Sequence, residues 1–298
     1  MRIAFLTCAE LRPGQPGRGP EGREHDLQMA ALHHAASQRD IRLDEVIWDD
    51  PAIHWGEYEA ALVGTTWDYP QKRDRFFKTL AQIDAHTALL NPLALMQWNL
   101  DKVYLADLAK KGVPSIPTVW ADAADAEAIL PAFEALQADE IVIKPRIGAN
   151  AWRQARLKRG EVLPTLKDLP PEACFIQPFL PGIARYGEIS MLYYNGRFSH
   201  AARKIPGDGD YRVQSGYGGR EIDHQPDASE HTVAEAAIAA LPQLPLYARI
   251  DLVRDAQNQP VIMEVELIEP YHYPEQGKGF AAPLLDGLLV HIRRGGGA

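Results

Sequence analysis

The stretch from Arg249 to Pro270 constrains the fold of this chain more than any other part of its sequence. It reads as two apolar strands, and the charged residues that stand out on them are Arg249, Asp251, Glu264 and Glu266. Residues two apart on a strand project to the same face, so Glu264 and Glu266 are expected side by side. Because neighbouring carboxylates repel each other, we expect a cation among the three acids. Hard oxygen ligands suit Mg²⁺ held together with substrate phosphates, which predicts a nucleotide–metal site.

The composition is that of an ordinary globular protein with no nucleic-acid or membrane partner. A net charge of −9 argues against binding to nucleic acid or to an anionic membrane. No apolar run approaches the ~20 residues that cross a bilayer, and the N-terminus reads as a strand rather than a signal peptide. Two cysteines, Cys8 and Cys174, do not make a disulfide framework. We therefore expect a reducing, cytoplasmic location.

The pattern of strands and helices indicates three successive units, at 1–95, 96–182 and 183–298. Alternation of strand and helix in the first unit is typical of a parallel α/β sheet. Its third strand is followed by the loop TTWDYP, Thr65–Pro70, at the position where α/β units place ligand contacts. The elements expected within residues 1–112 are strands 2–7, 43–48 and 60–64 and helices 24–38, 73–86 and 91–112.

The second and third units read as α+β, with strands that become longer toward the C-terminus. A Pro/Gly-containing linker, Gln177–Gly182, is expected to join them, and the tail RRGGGA at 293–298 is expected to fray. The expected elements are strands 115–120, 141–144, 174–177, 187–194, 197–203, 249–253 and 261–267 and helices 123–137 and 229–241.

Separated basic residues, rather than a phosphate-binding loop, are the candidates for contacting phosphates. The chain has no G-x-x-x-x-G-K-[ST] and no G-x-G-x-x-G after its first strand. Lys102 is predicted on a helix, and Lys144 ends an apolar strand, where a buried ammonium requires an anion. Arg203, Lys204 and Arg212 are predicted to form a basic cluster. Cations for phosphates opposite acids for a metal are what a Mg²⁺-triphosphate requires.

Simpler interpretations remain open for several of these residues. Glu264 and Glu266 can face solvent on an antiparallel strand, and Lys102 can be an exposed helix lysine. Trp67, Asp68 and Tyr69 can be a turn with a packing tryptophan instead of a substrate contact.

The ordered series of motifs resembles the ATP-grasp ligases. The series consists of Lys102, IVIKPRIGAN, IQPFLPG, GEIS, RK at 203–204, YRVQ, ARID and MEVELIEP, and it covers the last two-thirds of the chain. Within that superfamily, NLDK, TTWDYP, GRFSHAARK and ELIEP are most similar to the D-cycloserine-forming O-ureido-serine cyclo-ligases. The resemblance implies an ATP-grasp fold, with an N-terminal substrate domain at 1–95, a central subdomain at 96–182 and a C-terminal subdomain at 183–298.

The resemblance also implies an activity, cofactors and residue roles. The activity is ligation of a small amino-acid-like carboxylate to an amine, or its cyclisation, through an acyl phosphate, with ATP and two Mg²⁺ ions (or Mn²⁺) and a possible homodimer. Small-molecule carboxylate and amine substrates are the expected partners. The implied nucleotide contacts are Lys102, Lys144, Gln177, Phe179, Leu180 and Glu188. The implied catalytic residues are Lys204, Arg212 and Arg249. The implied metal ligands are Asp251, Glu264 and Glu266, and the implied substrate contacts are Trp67, Asp68, Tyr69 and His272.

Two departures from the family pattern and one alternative activity bear on these roles. Glu266 stands where the family usually has asparagine, which adds a negative charge beside the metal. The loop after Lys144 has a single glycine, Gly148, and a stiffer loop closes less easily over phosphates. The alternative is an ATP-grasp-type small-molecule kinase or an ATP-binding module without turnover. Arg249 and the three acids favour turnover, since a pure binder needs no stabilisation of transition-state charge.

Overall fold

Three β-sheets form the framework of the chain, and a computed structural model describes residues 1–295 of it. The first sheet is entirely parallel with strand order β2-β1-β3-β4, as the strand–helix alternation predicts. Its elements are β1 (Arg2–Thr7), α1 (Gly19–Ser37), β2 (Arg42–Ile47), β3 (Ala60–Val63), α2 (Arg73–Asp84) and β4 (Ala88–Leu90).

Two short helices and a small antiparallel sheet follow. The helices are α3 (Leu93–Leu100) and α4 (Tyr104–Lys110). The sheet has strand order β5-β8-β6-β7, and its strands are rich in the β-branched residues that favour extended backbone. Its elements are β5 (Val119–Ala121), α5 (Ala126–Ala135), β6 (Glu140–Pro145), β7 (Ala155–Lys158) and β8 (Cys174–Pro178).

The C-terminal sheet is antiparallel, with strand order β11-β10-β9-β12-β13. The helix α7 begins at an aspartate cap, where Asp227 and Glu230 form a reciprocal capping box. The elements of this part are α6 (Gly182–Tyr186), β9 (Glu188–Tyr194), β10 (Arg197–Ile205), β11 (Arg220–His224), α7 (Ala228–Ala240), β12 (Tyr247–Arg254), β13 (Pro260–Glu266) and α8 (Ala281–Gly295). Within residues 1–295, no helix combines the length and apolarity needed to span a membrane.

The hydrophobic cores divide the molecule differently from the sheets. One core joins the N-terminal sheet to the C-terminal part, since Ile3 and Phe5 of β1 share it with Tyr194, Tyr247 and the helix α8. The central sheet has a core of its own that includes Ile129 of α5. Helix α4 packs on the C-terminal sheet, not on the central one. The main core of the central sheet is therefore separate, while Ile116 shares a small core with Val253 and Val261 of the C-terminal sheet.

Several expected elements differ from the structure. The helix expected over 91–112 is broken at residues 101–103, because the Asp101 carboxylate accepts a bond from the Val103 N–H and pairs with Arg146. Of the strand expected at 115–120 only the end is part of β5, since Pro114 and Pro117 cannot donate to a ladder. Gln177 and Pro178 belong to β8 instead of a linker.

Five elements have weak sequence patterns that do not predict them: β4, β7, α6, β11 and α8. The strands are short or polar, and α8 contains an internal proline and glycine. The expected frayed tail is helical as far as Gly295. Its last residues, 296–298, lie outside the part of the chain that the structure describes.

Candidate active site

A cavity of about 490 Å³ lies between the central sheet, the C-terminal sheet and the TTWDYP loop. The structure brings almost all of the predicted site residues to its wall. Asp68 and His272 are the exceptions. The predicted residues that line it are Trp67, Tyr69, Lys102, Lys144, Gln177, Phe179, Leu180, Glu188, Lys204, Arg212, Arg249, Asp251, Glu264 and Glu266.

The acidic side of the cavity is built by the pairing of β12 with β13. Arg249 lies opposite Glu266 and Asp251 lies opposite Glu264, so all four side chains project from the same face of the sheet. The register shifts directly after the Asp251–Glu264 pair, which leaves Met263 as an extra residue in β13. This bulge lets the Met263 side chain also line the cavity.

Basic side chains of the protein itself neutralise these acids. Arg249 binds Asp251 (Nη2–Oδ2, 3.0 Å) and forms a very close contact with Glu266. Lys102 Nζ lies 2.8 Å from Glu264 Oε1. Among residues 1–295, the group of three or more His, Cys, Asp or Glu side chains whose ligand atoms all lie within 4.8 Å of one another is instead Cys8, Glu10 and Asp68. The cation expected between the acids is therefore, in this structure, supplied by arginine and lysine.

The charges of the acids are nevertheless unevenly compensated. Burial would raise the pKa of Asp251, but Arg249 and Lys204 outweigh it and bring this pKa to about 2. For Glu266 burial prevails over Arg249, and with the nearby Glu264 it raises the pKa to about 7. A carboxylate whose pKa is raised in this way would gain from an additional cation. The oxygen donors of Asp251, Glu264 and Glu266 thus fit Mg²⁺ chemically.

Lys204 extends the charge network from the neighbouring strand pair. Its ammonium is buried, forms a very close ion pair with Glu188, and lies 3.5 Å from Asp251 Oδ2. Gly187 permits this arrangement: its φ is +75°, and a Cβ there would lie 2.2 Å from the Lys204 carbonyl oxygen. Arg203 projects to the other face of β10 and does not line the cavity. The expected basic cluster of Arg203, Lys204 and Arg212 is therefore not formed.

Lys144 is the cavity lysine that lacks an acidic partner among the described residues. Its Nζ donates to Gln177 Oε1 (3.0 Å) and lies 3.2 Å from the Met263 sulfur. Burial lowers its pKa to about 8, against the opposing effect of Glu264. A half-buried ammonium with neutral neighbours is an anion-binding position.

The break between α3 and α4 places Lys102 at the cavity. Lys102 lies in the break and not on a helix, and its backbone N–H donates to the Arg146 carbonyl at the start of the loop after β6 (2.9 Å). The same loop is anchored by the bidentate pair of Arg146 with Asp101. Two basic residues predicted independently, Lys102 and Lys144, are thus connected through one loop.

Arg212 reaches the cavity from the loop after β10. Asp210 holds it through Nε and Nη2 (3.0 and 2.7 Å), and its guanidinium lies 3.6 Å from the centre of the Tyr217 ring. The side-chain bond from Arg212 is the main reason that the pKa of Asp210 lies far below its usual value. Arg212 is therefore preorganised by its own loop.

The TTWDYP loop contributes its two aromatic residues to the cavity and its aspartate elsewhere. Trp67 Nε1 donates to the Glu269 carbonyl (3.1 Å). Asp68 instead accepts bonds from Trp48 Nε1 and Lys72 Nζ, at 2.7 and 2.5 Å. Its role as a substrate contact is not supported by this position, because those two donors occupy its carboxylate.

His272 also lies behind the cavity wall. It is 3% exposed, its Nδ1 is 3.0 Å from the Tyr194 hydroxyl, and its ring stacks on Phe280. Burial lowers its pKa to about 3, so the imidazole is neutral. The substrate contact predicted for His272 is therefore replaced by a packing role.

Sequence reasoning missed several cavity residues, which lie in α1, in β11 and on loops. The added wall residues include Glu21, Glu24, Trp152, Tyr211, Glu221, Glu269, Tyr271 and Tyr273. Most have no pattern that distinguishes them from surface residues. Glu269 is different, because it belongs to the ELIEP motif and follows the metal-ligand candidate Glu266 by three residues.

Comparison with solved structures defines the class of the protein. The structure of ATP-grasp ligase PsnB complexed with minimal precursor matches with a TM-score of 0.65 and 15% identity over 97% of this chain and 98% of that one. The crystal structure of D-cycloserine synthetase DcsG matches with a TM-score of 0.83 and 26% identity over 98% of this chain and all of that one. The chain has the ATP-grasp fold and is an ATP-dependent ligase, an enzyme that forms C–N bonds.

Sequence comparison then defines the family. Residues 3–91 match the family described as D-cycloserine synthetase DcsG, N-terminal domain. The cycloserine biosynthesis protein DcsG of Streptomyces lavendulae is 32% identical over 264 residues, which cover 82% of this chain and 87% of that protein. The chain belongs to the DcsG family of ATP-grasp ligases, and the resemblance found in its motifs is confirmed.

Proposed function

We propose that this enzyme activates the carboxylate of a small amino-acid-like substrate as an acyl phosphate and then closes or joins it with a nitrogen nucleophile. O-ureido-serine, the substrate class implied by the family resemblance, is the first candidate. The observation that carries the proposal is the half-buried Lys144, which has no acidic partner within residues 1–295, in a cavity that is also lined by Asp251, Glu264 and Glu266. Such a cavity suits a polyanion accompanied by a metal ion.

The nucleotide would lie between the central and C-terminal sheets. Phe179 and Leu180 would contact the adenine, and Lys102 and Lys144 would bind the α- and β-phosphates. Glu188 would hold the ribose hydroxyls. Gln177 supports this site indirectly, since its Oε1 holds Lys144 and its Nε2 donates to Thr118 (3.0 Å).

Asp251, Glu264 and Glu266 would hold Mg²⁺, with two ions as the expected number and Mn²⁺ as a substitute. Bound there, the metal supplies positive charge next to the phosphate oxygens. The extra charge of Glu266 relative to the family's asparagine is offset by its contact with Arg249. This contact explains how a third carboxylate is tolerated in the site.

In the first step, a substrate carboxylate oxygen attacks the γ-phosphorus and the bond to the bridging β–γ oxygen breaks, which releases ADP. Lys204, Arg212 and Arg249 would orient the γ-phosphate and stabilise the charge on the transferred group. In the second step the nucleophilic nitrogen attacks the carbonyl carbon and inorganic phosphate leaves. Trp67 and Tyr69 would contact the carboxylate substrate at the N-terminal side of the cavity.

Trapping with hydroxylamine tests this proposal. With ATP, Mg²⁺ and O-ureido-serine, the enzyme should yield the corresponding hydroxamate along with ADP, as detected by mass spectrometry. A small-molecule kinase would give a stable phospho-product and no hydroxamate. ATP-dependent phosphorylation without hydroxamate would therefore contradict the ligase mechanism.

We also propose a cytoplasmic location, a homodimer and a domain division at 1–95, 96–182 and 183–298. Two free, buried cysteines, Cys8 and Cys174, are compatible with a reducing compartment. The dimer rests on the family resemblance, and light scattering of the purified enzyme measures it directly.

A further inference from the structure

Glu269 lies just after β13, the strand that carries Glu264 and Glu266, where the chain meets the TTWDYP loop. It follows the end of β13 by three residues and lines the cavity together with Glu264 and Glu266. The side chains that surround Glu269 come from two other segments of the chain. Trp67 and Tyr69 belong to the TTWDYP loop, and Lys102 lies in the α3–α4 break.

The loop that carries Glu269 is held in place from the N-terminal unit. Trp67 Nε1 donates to its backbone carbonyl (3.1 Å), and the edge of the Trp67 ring meets Tyr271, with ring centres 6.3 Å apart. The buried Tyr69 hydroxyl lies against the Glu269 carboxyl. These contacts fix the backbone and one side of the carboxyl, while the residue remains part of the cavity wall.

Glu269 differs from Glu264 and Glu266, the two acids at the end of β13, because those two acids form ion pairs. Glu264 is paired with Lys102 and Glu266 with Arg249. Within residues 1–295, Glu269 has no basic nitrogen within 4.0 Å. Burial is the main reason that its pKa rises to about 8, and Glu266 adds to this effect. A carboxyl group that is not committed to an ion pair and that titrates near neutral pH is suited to proton transfer.

Resting on the proposed ligase function, we propose that Glu269 is the catalytic base for the second step. Its carboxylate accepts the N–H proton of the nucleophile as the new C–N bond forms. The C–O bond of the acyl phosphate breaks at the same carbon, and phosphate leaves with the bonding electron pair. The nucleophile thus approaches from the side of Trp67 and Tyr271, opposite the nucleotide.

The position explains why a separate base is required. Lys102, Lys204 and Arg249 are protonated through their ion pairs and cannot accept a proton. Asp251 is occupied by Arg249, Lys204 and Ser190. Of the carboxylates at the end of β13, Glu269 remains available next to the substrate loop.

Replacement of Glu269 by Gln separates the two steps, because hydroxylamine is uncharged near neutral pH and attacks an acyl phosphate without a base. With ATP, Mg²⁺ and O-ureido-serine, Glu269→Gln should form the hydroxamate at a rate close to that of the wild type. Its formation of the natural ligation product should fall about 100-fold or more. Glu275→Gln is the matched control, because Glu275 is exposed on the same loop and does not line the cavity.

Glu269→Asp keeps a carboxylate and should recover part of the ligation rate. This recovery would show that the loss in Glu269→Gln comes from the missing carboxylate and not from misfolding. Ligation at the wild-type rate in Glu269→Gln would overturn the assignment. Loss of hydroxamate and ligation together would assign Glu269 to activation or binding and would also overturn it. If the wild type itself gives no hydroxamate, the proposed function fails first and this inference fails with it.

Discussion

At the scale of single residues, the site is a set of charges that neutralise one another before any ligand binds. Asp251 and Glu264 each have a cationic partner, while Lys144 has neutral ones. A Mg²⁺-nucleotide would bring both a polyanion for Lys144 and a cation for the acids. The residues are therefore arranged to exchange internal ion pairs for pairs with the ligand.

Replacement of Glu264 by Gln tests this exchange. Turnover should fall more than about 100-fold, because the lost charge acts on the metal and also releases Lys102. Binding of ATP without metal should persist, since the adenine contacts are unchanged. Steady-state kinetics and equilibrium titration of nucleotide measure the two effects.

Glu275→Gln again provides the matched control, since it removes the same charge outside the cavity. Near-normal turnover of Glu264→Gln at ordinary Mg²⁺ concentration would remove Glu264 from the metal site. Loss of metal-free ATP binding would place Glu264 in the nucleotide site instead.

At the scale of elements, the strand that carries the acids is fixed by side chains from outside its sheet. The Tyr104 hydroxyl bonds both the N–H and the C=O of Val265, each at 2.9 Å. Asn99 binds the Val265 carbonyl and the Leu267 N–H, and Asn91 binds the Leu267 carbonyl. These bonds satisfy buried backbone groups on the outer edge of β13 and thereby set the position of Glu264 and Glu266.

Tyr104→Phe should therefore destabilise the enzyme by about 1–3 kcal/mol, because it leaves the buried Val265 N–H without a partner and the Val265 C=O with Asn99 alone. Urea unfolding measures this loss, and the KM for Mg²⁺ should rise in the same variant. Tyr193→Phe is a close control, since the Tyr193 hydroxyl is buried and has no hydrogen-bond partner within the described residues. Equal stability of Tyr104→Phe and Tyr193→Phe would contradict this role.

The sequence predicts elements well where the pattern is long, and site residues well where a motif places them on a strand. Arg249, Asp251, Glu264 and Glu266 are correctly placed because strand periodicity fixes their shared face. Asp68 illustrates the limit. The sequence places it correctly in a loop, but only tertiary packing shows that Trp48 and Lys72 occupy its carboxylate. The helix α8 was missed because its internal proline and glycine mask an amphipathic pattern.

At the scale of the whole molecule, the sheets that surround the cavity differ in how they are packed. The C-terminal sheet shares a hydrophobic core with the N-terminal sheet, whereas the central sheet has a separate core. The N-terminal sheet and the C-terminal part share a core across the proposed boundary at residue 95. The central sheet is stabilised by its own smaller cluster. We expect local stability to follow these cores, so that local unfolding of the central sheet requires less free energy than unfolding of the other two sheets.

Hydrogen–deuterium exchange tests this difference. Without nucleotide, amides of β6 and β8 should exchange faster than those of β9 and β12, and ATP with Mg²⁺ should slow β6 and β8 selectively. Peptide-level mass spectrometry resolves these segments. Equal protection of both sheets, or a uniform response to nucleotide, would show that the enzyme behaves as one rigid body.

The side chains that cover the outer edge of β13 have a consequence for self-association. An uncovered edge strand offers unpaired N–H and C=O groups to a second chain, which promotes β-sheet pairing between molecules. Asn91, Asn99 and Tyr104 occupy those groups at Val265 and Leu267. The enzyme can therefore keep an apolar, acid-bearing strand at the margin of its largest sheet without offering that margin as a template for aggregation.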